Sequence, residues 1–464
     1  MSRATSTLTS TSISMALRNP SLLAALTLIV PLALRAQAPT PTAPVRLSFA
    51  DAVRQATGET QQAPPPSVSI AGFRSDAAVA RVRQARSALL PSLSIAGSWV
   101  NRNFNPRTLG FNIPGLTLPS IVPPFNAYDG RARVTETVFD FSSLRRVSAA
   151  RSQVTAANAE RSATVETTAQ NVAFAYVRAT RAAAVVAARA ADSALAAELV
   201  GVAEAQQKAG VSASIDVTRA RTQLAEAAGR LVVAENQRDR ALIDLSRALG
   251  LEPSTPVALT DSLRADLGAA DVPSNRDAAV AQAVSARPDL AAEQARGAAA
   301  RQAATAISAE RLPRLEVEAD YGFSGLRLPD AVGTRQVAVQ VTLQILDGFR
   351  REGRLAEQQA SVRESDVRTR DLRQQVTADV DGALLDLRSA AAQQMIAAER
   401  LRLATQEVAQ ARQRFQAGVV SNIEVITAQS SLLRARDADI DARFAAATAR
   451  IALARSVGAA HTLH

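Results

Sequence analysis

The chain has 464 residues, 47% of them apolar but only 3% aromatic, with no cysteine and a formal charge of +10 in which one lysine, Lys208, stands beside 52 arginines. The lack of cysteine excludes disulfides, thiolate catalysis and Cys-ligated zinc, and the two histidines, His461 and His464, fall in the terminal tail, which argues against histidine chemistry. A large, aromatic-poor chain rich in alanine suits long helices packed side by side better than one globular core. Its arginines alternate with acids along helical faces instead of forming a basic block, so the charge alone does not indicate a nucleic-acid partner.

Residues 1–38 read as a secretory signal. Arg3 and Arg18 precede an apolar run over 22–34, and Ala36, Gln37 and Ala38 supply a small-x-small cleavage site. The run is shorter than the roughly 20 residues that span a bilayer, and no later segment is apolar enough to do so. An exported chain of this kind that entered a membrane would not enter it by helices.

The remainder of the chain carries one pattern twice. Leu90 and Pro91 recur as Leu312 and Pro313; Val138, Phe139 and Asp140 recur as Ile345, Leu346 and Asp347; Ala209, Gly210, Val211 and Ile215, Asp216, Val217 recur as Ala417, Gly418, Val419 and Ile423, Glu424, Val425. The spacing between copies stays close to constant, which makes the chain a duplicated unit and not a solenoid. The units are residues 39–249 and 275–458, joined by a linker over 250–274 and followed by a tail over 459–464 that reads as disordered.

Each unit opens with a helix from Pro66 or Pro288 that proline ends at the Leu, Pro pair. Strands are expected next, at about 92–101 and 131–139 in the first unit and 314–324 and 336–346 in the second. Val337, Val339, Val341, Leu343 and Ile345 share one face, while Gln340, Thr342 and Gln344 share the other. In the preceding strand Leu315, Val317, Ala319, Tyr321 and Phe323 oppose Glu316, Glu318 and Asp320. Strands of about ten residues with one apolar and one polar face are the unit of a membrane β-barrel with a watery lumen, which those polar residues would line. Trp99, Tyr128, Tyr321 and Phe323 sit near strand ends, where an interfacial girdle would place them. The first unit keeps the pattern less cleanly, because Glu136 stands where the second has Leu343. Its inter-strand loop is longer and carries Pro106, Pro114, Pro119, Pro123 and Pro124, so it is expected outside the membrane.

Long helices are expected over 140–208 and 347–416, neither interrupted by proline. At 1.5 Å per residue each is a rod of about 100 Å. In the second rod Leu355, Val362, Leu372, Val376, Val380, Leu384, Leu387, Ala391 and Met395 predict a coiled-coil seam. Hairpin tips at 209–216 and 417–424, marked by Gly210 and Gly418, return the chain into helices beginning near Asp216 and Glu424. Those helices are shorter than the rods, so the segments ending at Leu90 and Leu312 are expected to stack on them.

Taken in order, the paired Leu, Pro strand entries, the Phe139, Asp140 and Leu346, Asp347 strand exits, the run Arg287, Pro288, Asp289, Leu290 and the doubled Gly, Val, Ser tips resemble those of the TolC-like outer-membrane efflux proteins, over nearly the whole mature chain. The resemblance implies a mainly α fold with a membrane β-barrel, in which four strands per protomer complete a trimeric 12-stranded barrel continued by a helical tunnel across the periplasm. It also implies a passive, non-enzymatic homotrimer without cofactor or metal, held in outer-membrane lipid and opened when a periplasmic adaptor and an inner-membrane pump engage the tips. By the same resemblance Gly210, Val211, Ser212, Gly418 and Val419 are expected to dock the adaptor, and Asp216 and Glu424 to line the periplasmic aperture. An acid that begins a helix is also favoured there by the helix dipole alone. Val420 and Thr427 replace an Arg and an Asp of the family's second tip, so closure is expected to rest more on apolar packing. A periplasmic coiled-coil adaptor or scaffold is the alternative, though it would lack two amphipathic strand pairs.

Overall fold

The computed structural model describes residues 44–464 except 61–62, 107–119, 265, 269, 271 and 274; the expected signal segment lies outside the described residues. In chain order the elements are β1 (Val45–Leu47), α1 (Phe49–Thr57), α2 (Pro66–Ser87), β2 (Ser92–Phe104), β3 (Val122–Phe139), α3 (Phe141–Lys208), α4 (Ser214–Leu249), β4 (Val257–Leu259), α5 (Arg276–Ala286), α6 (Pro288–Ala309), β5 (Arg314–Gly325), β6 (Val332–Thr342), α7 (Arg350–Gln416) and α8 (Asn422–Ser456). The molecule is mainly helical, with one four-stranded antiparallel sheet in the order β2-β3-β5-β6.

The long helices α3 and α7 have 68 and 67 residues. Neither is covered by a single partner. Over α3, the 36-residue α4 is followed by the 22-residue α2, and the chain end of α4 abuts the start of α2, where a Cβ on Gly250 would lie 2.9 Å from Pro66 Cδ. The second unit repeats the junction, with Gly458 against the backbone of Ala286 and Arg287 at the start of α6.

Packing between the helices runs on alanine. In α8 the buried positions Val425, Ala428, Leu432, Ala435, Asp439, Ala442, Ala446, Ala449, Leu453 and Ser456 alternate steps of three and four, the heptad signature. In α7, Val376, Ala383, Ala390, Ala397, Ala404 and Ala411 are buried at every seventh residue. This corrects the seam expected from the sequence. Val376, Val380 and Leu384 belong to it, but Ala391 is exposed and Met395 is 70% exposed, because the small residues let α7 approach its neighbours closely and turn the larger side chains outward.

Several boundaries differ from expectation for identifiable reasons. Helix α7 starts three residues late because Gly348 and Phe349 both adopt positive φ, at 67° and 62°, after Asp347; the Asp347 carboxylate then accepts the Arg351 amide at 3.1 Å. In the first unit Asp140 caps α3 directly, accepting the Ser142 amide at 2.9 Å. Burial raises the Asp140 pKa, but the hydroxyls of Ser143 and Ser142 outweigh it and leave the carboxyl below its ordinary range. Strand β3 begins at Val122, so Pro123 and Pro124 lie in the strand and not in the loop; Pro114 and Pro119 lie outside the described residues.

The tail and the described part of the linker also carry structure. Residues Val257–Leu259 form β4, parallel to β1. The tail forms a 3₁₀ turn, Ala460–Thr462, with Ala460 and Leu463 buried. It is pinned by Glu166, a buried carboxylate of α3 that accepts the Ala460 amide at 2.8 Å and also contacts the His461 ring. The expectation of a disordered tail is therefore wrong; a six-residue segment gave no hint of a receptor on α3.

Beside that tail, α1, α3, α4 and α8 bury the largest apolar cluster, around Tyr176, Phe49, Leu245 and Ile451. The Tyr176 hydroxyl lies 2.8 Å from Asp261 Oδ2, which also accepts the Phe49 amide at 2.7 Å. Burial and the Asp261 carboxylate together push the tyrosine's pKa well up. Tyr176→Phe leaves that carboxylate short of a donor and is expected to cost about 1–2 kcal/mol in denaturant titration.

Candidate functional site

Two regions combine the residues that the sequence singled out. The first is the sheet. Its register sets Leu93, Ile95 and Trp99 opposite Val134, Ala132 and Tyr128, then Val134 and Ala132 opposite Ala319 and Tyr321, then Ala319, Val317 and Leu315 opposite Val337, Val339 and Val341. All of these share one face. Alternate positions share the other: Asp129, Arg131, Arg133 and Thr135 on β3, Glu316, Glu318 and Asp320 on β5, Gln336, Gln340 and Thr342 on β6.

In the single chain the apolar face is left open to solvent, as is most of the polar face. Val337, Val339 and Val341 are 73%, 67% and 68% exposed, whereas Asp320 on the polar face is buried. A sheet of a water-soluble protein does the reverse. Beta-branched side chains in an apolar band, with Trp99, Tyr128, Tyr321 and Phe323 toward the hairpin ends, match the outside of a barrel in lipid. Glu136, opposite Val317, interrupts the apolar face near the helical end of the strands. No described helix is long and apolar enough to cross a membrane.

Gln344 is a correction. It lies beyond β6, since β5 starts at Arg314 opposite Thr342 and Pro313 offers no amide to continue the ladder; Arg351 instead contacts the Gln344 carbonyl at 3.4 Å. Residues Leu343, Ile345 and Leu346 lie outside the strand and are exposed.

The second region is the pair of hairpin tips. Gly210 and Gly418 have φ of 75° and 71°, and each tip closes the same way: Gly210 N–H donates to the Gln207 carbonyl and Val211 N–H to that of Gln206, as Gly418 and Val419 do to Phe415 and Arg414. These are Schellman closures, which need a left-handed residue after the helix. Helices α4 and α8 begin at Ser214 and Asn422, earlier than expected, so Asp216 and Glu424 stand in their first turns. Asp216 accepts Ser212 Oγ at 3.0 Å and faces Arg219 at 3.7 Å, while Glu424 pairs with Arg414 at 2.5 Å. Each acid is thus engaged within its own hairpin.

The two tips are tied to each other. Asn422 Nδ2 donates to the Asp216 carbonyl at 2.8 Å, Gln206 Nε2 donates to the Phe415 carbonyl at 3.0 Å, and Arg412 pairs with Glu198. Behind them Leu199, Ala203 and Val217 pack with Val408, Phe415 and Val425, and Val420 joins this cluster. Thr427 gives its hydroxyl to the Ile423 carbonyl of its own helix. What projects is apolar: Val211 and Val419 are 67% and 68% exposed, and Ile215 and Ile423 are 52% and 50% exposed. The two isoleucines were not among the expected docking residues, although their recurrence in both tips carried the signal.

A four-stranded sheet with an uncovered apolar face, joined to paired helical hairpins of about 100 Å, is the fold class of the outer-membrane channels. The same fold occurs in solved structures: the CmeC outer membrane channel of Campylobacter jejuni, with a TM-score of 0.75 and 15% identity over 89% of this chain and 86% of that one, and the outer membrane protein VceC of Vibrio cholerae, with 0.70 and 20% over 88% and 96%. The outer membrane efflux protein family model matches residues 61–251 and 279–459, and the chain belongs to that family. Protein CyaE of Bordetella pertussis is 28% identical over 251 residues, a match that spans 53% of this chain and about half, 52%, of that protein.

Proposed function

We propose that this protein is the passive exit duct of a multi-component efflux or type I secretion system, working as a homotrimer. Three sheets pool into one 12-stranded barrel in the outer membrane, and the helices of three protomers continue the bore as a tunnel through the periplasm. The observation that carries this reading is the uncovered apolar face of a sheet whose edges, β2 and β6, have no partner within the described residues of the chain. Four strands are too few to close a barrel, and an open edge in lipid is untenable. Trimerisation removes the edges and encloses a pore in one step.

The tips, with Gly210, Val211, Ser212, Gly418 and Val419 and the added knobs Ile215 and Ile423, dock a periplasmic adaptor that couples the duct to an inner-membrane pump. Asp216 and Glu424 flank the aperture, and opening separates hairpins held by the apolar packing around Val420. No bond is made or broken in the process. The coiled-coil scaffold alternative has no use for an exposed apolar sheet face. Detergent extraction distinguishes them: a duct resists salt washing, runs as three copies in native mass measurement and conducts ions in a planar bilayer. Release of a single copy by salt would sink the proposal.

A further inference from the structure

The polar face of the sheet is balanced in charge and striped. Its four acids, Asp129, Glu316, Glu318 and Asp320, are matched by four arginines at 102, 131, 133 and 314. Most of this charge is paired within or across the β3–β5 seam, where the first unit's hairpin meets the second's. Arg131 sits between Asp320 at 2.6 Å and Asp129 at 2.9 Å, and Arg133 meets Glu318 at 2.9 Å. Asp320 is almost wholly covered, its side chain 4% exposed beneath the Arg131 guanidinium. By contrast the polar positions on the two open edges, serines on β2 and Thr or Gln on β6, carry no charge below Arg102.

We infer that the barrel lumen is a charge-compensated passage that discriminates little between anionic and cationic solutes, and that Arg131 is the residue that holds it neutral. The inference rests on the duct reading, since only the trimer turns this face into a lumen. In that assembly three charged stripes alternate with three hydroxyl and amide stripes, so a solute meets donors and acceptors without a net field. A single Arg131 serves two acids, and its loss unmasks both in every protomer. The cation-selective alternative, a lumen dominated by its carboxylates, requires the arginines to be absent or turned away, and the ion pairs hold them in place.

The test is the reversal potential of the purified full-length trimer in a planar bilayer across a KCl gradient whose dilute side is about 10 mM, where charges act over roughly 30 Å and so reach across the bore. The wild-type ratio is the reference, because the aperture acids Asp216 and Glu424 lie on the same path and only shifts from it report the lumen. Arg131→Gln should raise the cation-to-anion permeability ratio severalfold, Asp320→Asn should shift it the opposite way, and the double variant should return to the wild-type value. Arg133→Gln supplies a second cation-directed shift should Arg131→Gln insert poorly. Conducting single variants whose potentials do not move would overturn the lumen inference alone. A wild-type protein that never conducts would overturn the duct reading and this inference with it.

Discussion

Arg287→Ala is expected to destabilise the protein by about 3–5 kcal/mol, the range for removing one partner of a buried ion pair. The Arg287 side chain is 5% exposed and bridges Asp289 at 2.6 Å to Asp379 at 2.7 Å, tying the start of α6 to α7. Arg455 near the end of α8 stands 3.6 Å from Asp289, so three helices meet at one charged node. Burial works against the charge on both Arg287 and Asp289, yet the hydrogen bonds between them prevail, keeping the guanidinium raised and the Asp289 carboxyl below its ordinary value near 3.8. Without the guanidinium, Asp289 and Asp379 are left facing one another. Arg287→Lys keeps a charge but loses the planar fork that spans two carboxylates, so an intermediate loss is expected. Denaturant midpoints of the three proteins in one detergent test the order; an alanine variant within about 1 kcal/mol of wild type would remove the node from the account of stability.

The same node sets an acid limit. A carboxyl whose folded pKa is depressed adds stability above its unfolded pKa, and that contribution is lost as pH falls through the folded value. For Asp289 the loss therefore begins below about pH 4 and continues downward. Arg287→Ala should flatten this part of the stability profile.

What the sequence revealed depended on how local each signal was. Period-two alternation placed the second unit's strands because Val337 to Val341 and Leu315 to Phe323 are shaped by one interaction, an apolar face against lipid or protein. The tips were legible because a Schellman closure needs its glycine locally, and a Cβ added to Gly210 or Gly418 would meet nothing within 4 Å. The coiled-coil seam was misread for the opposite reason. Large side chains such as Met395 draw attention, but closeness between helices is set by alanines whose meaning depends on the partner helix. The Glu166 clasp on the tail, the β1–β4 pair and the Arg131 bond to Asp320 join residues far apart in the chain, and no window of sequence holds both members of any of them.

Three glycines separate conformation from contact. Gly210, Gly418 and Gly458 share nearly the same backbone, with φ of 75°, 71° and 79°. At the tips an added Cβ meets nothing within 4 Å, so Gly210→Ala or Gly418→Ala costs only the left-handed conformation, about 1 kcal/mol. At Gly458 the Cβ would lie 3.0 Å from Arg287 Cα and 3.1 Å from the Ala286 carbonyl, and these are backbone atoms that cannot rotate away. Gly458→Ala should therefore add an overpacking cost to the conformational one, about 2–4 kcal/mol in total. Because the nearest crowded atom is the Cα of Arg287 and the others belong to the residue before it, the strain falls on the ion-pair node, and the effects of Gly458→Ala and Arg287→Ala should be less than additive in a double-mutant cycle. Additive losses would mean that α8 and α6 meet at this junction without sharing stability. A Gly458→Ala loss no greater than that of Gly418→Ala would mean that the junction yields freely, and the end-to-end stacking of α8 on α6 would then contribute little to the length of the rod.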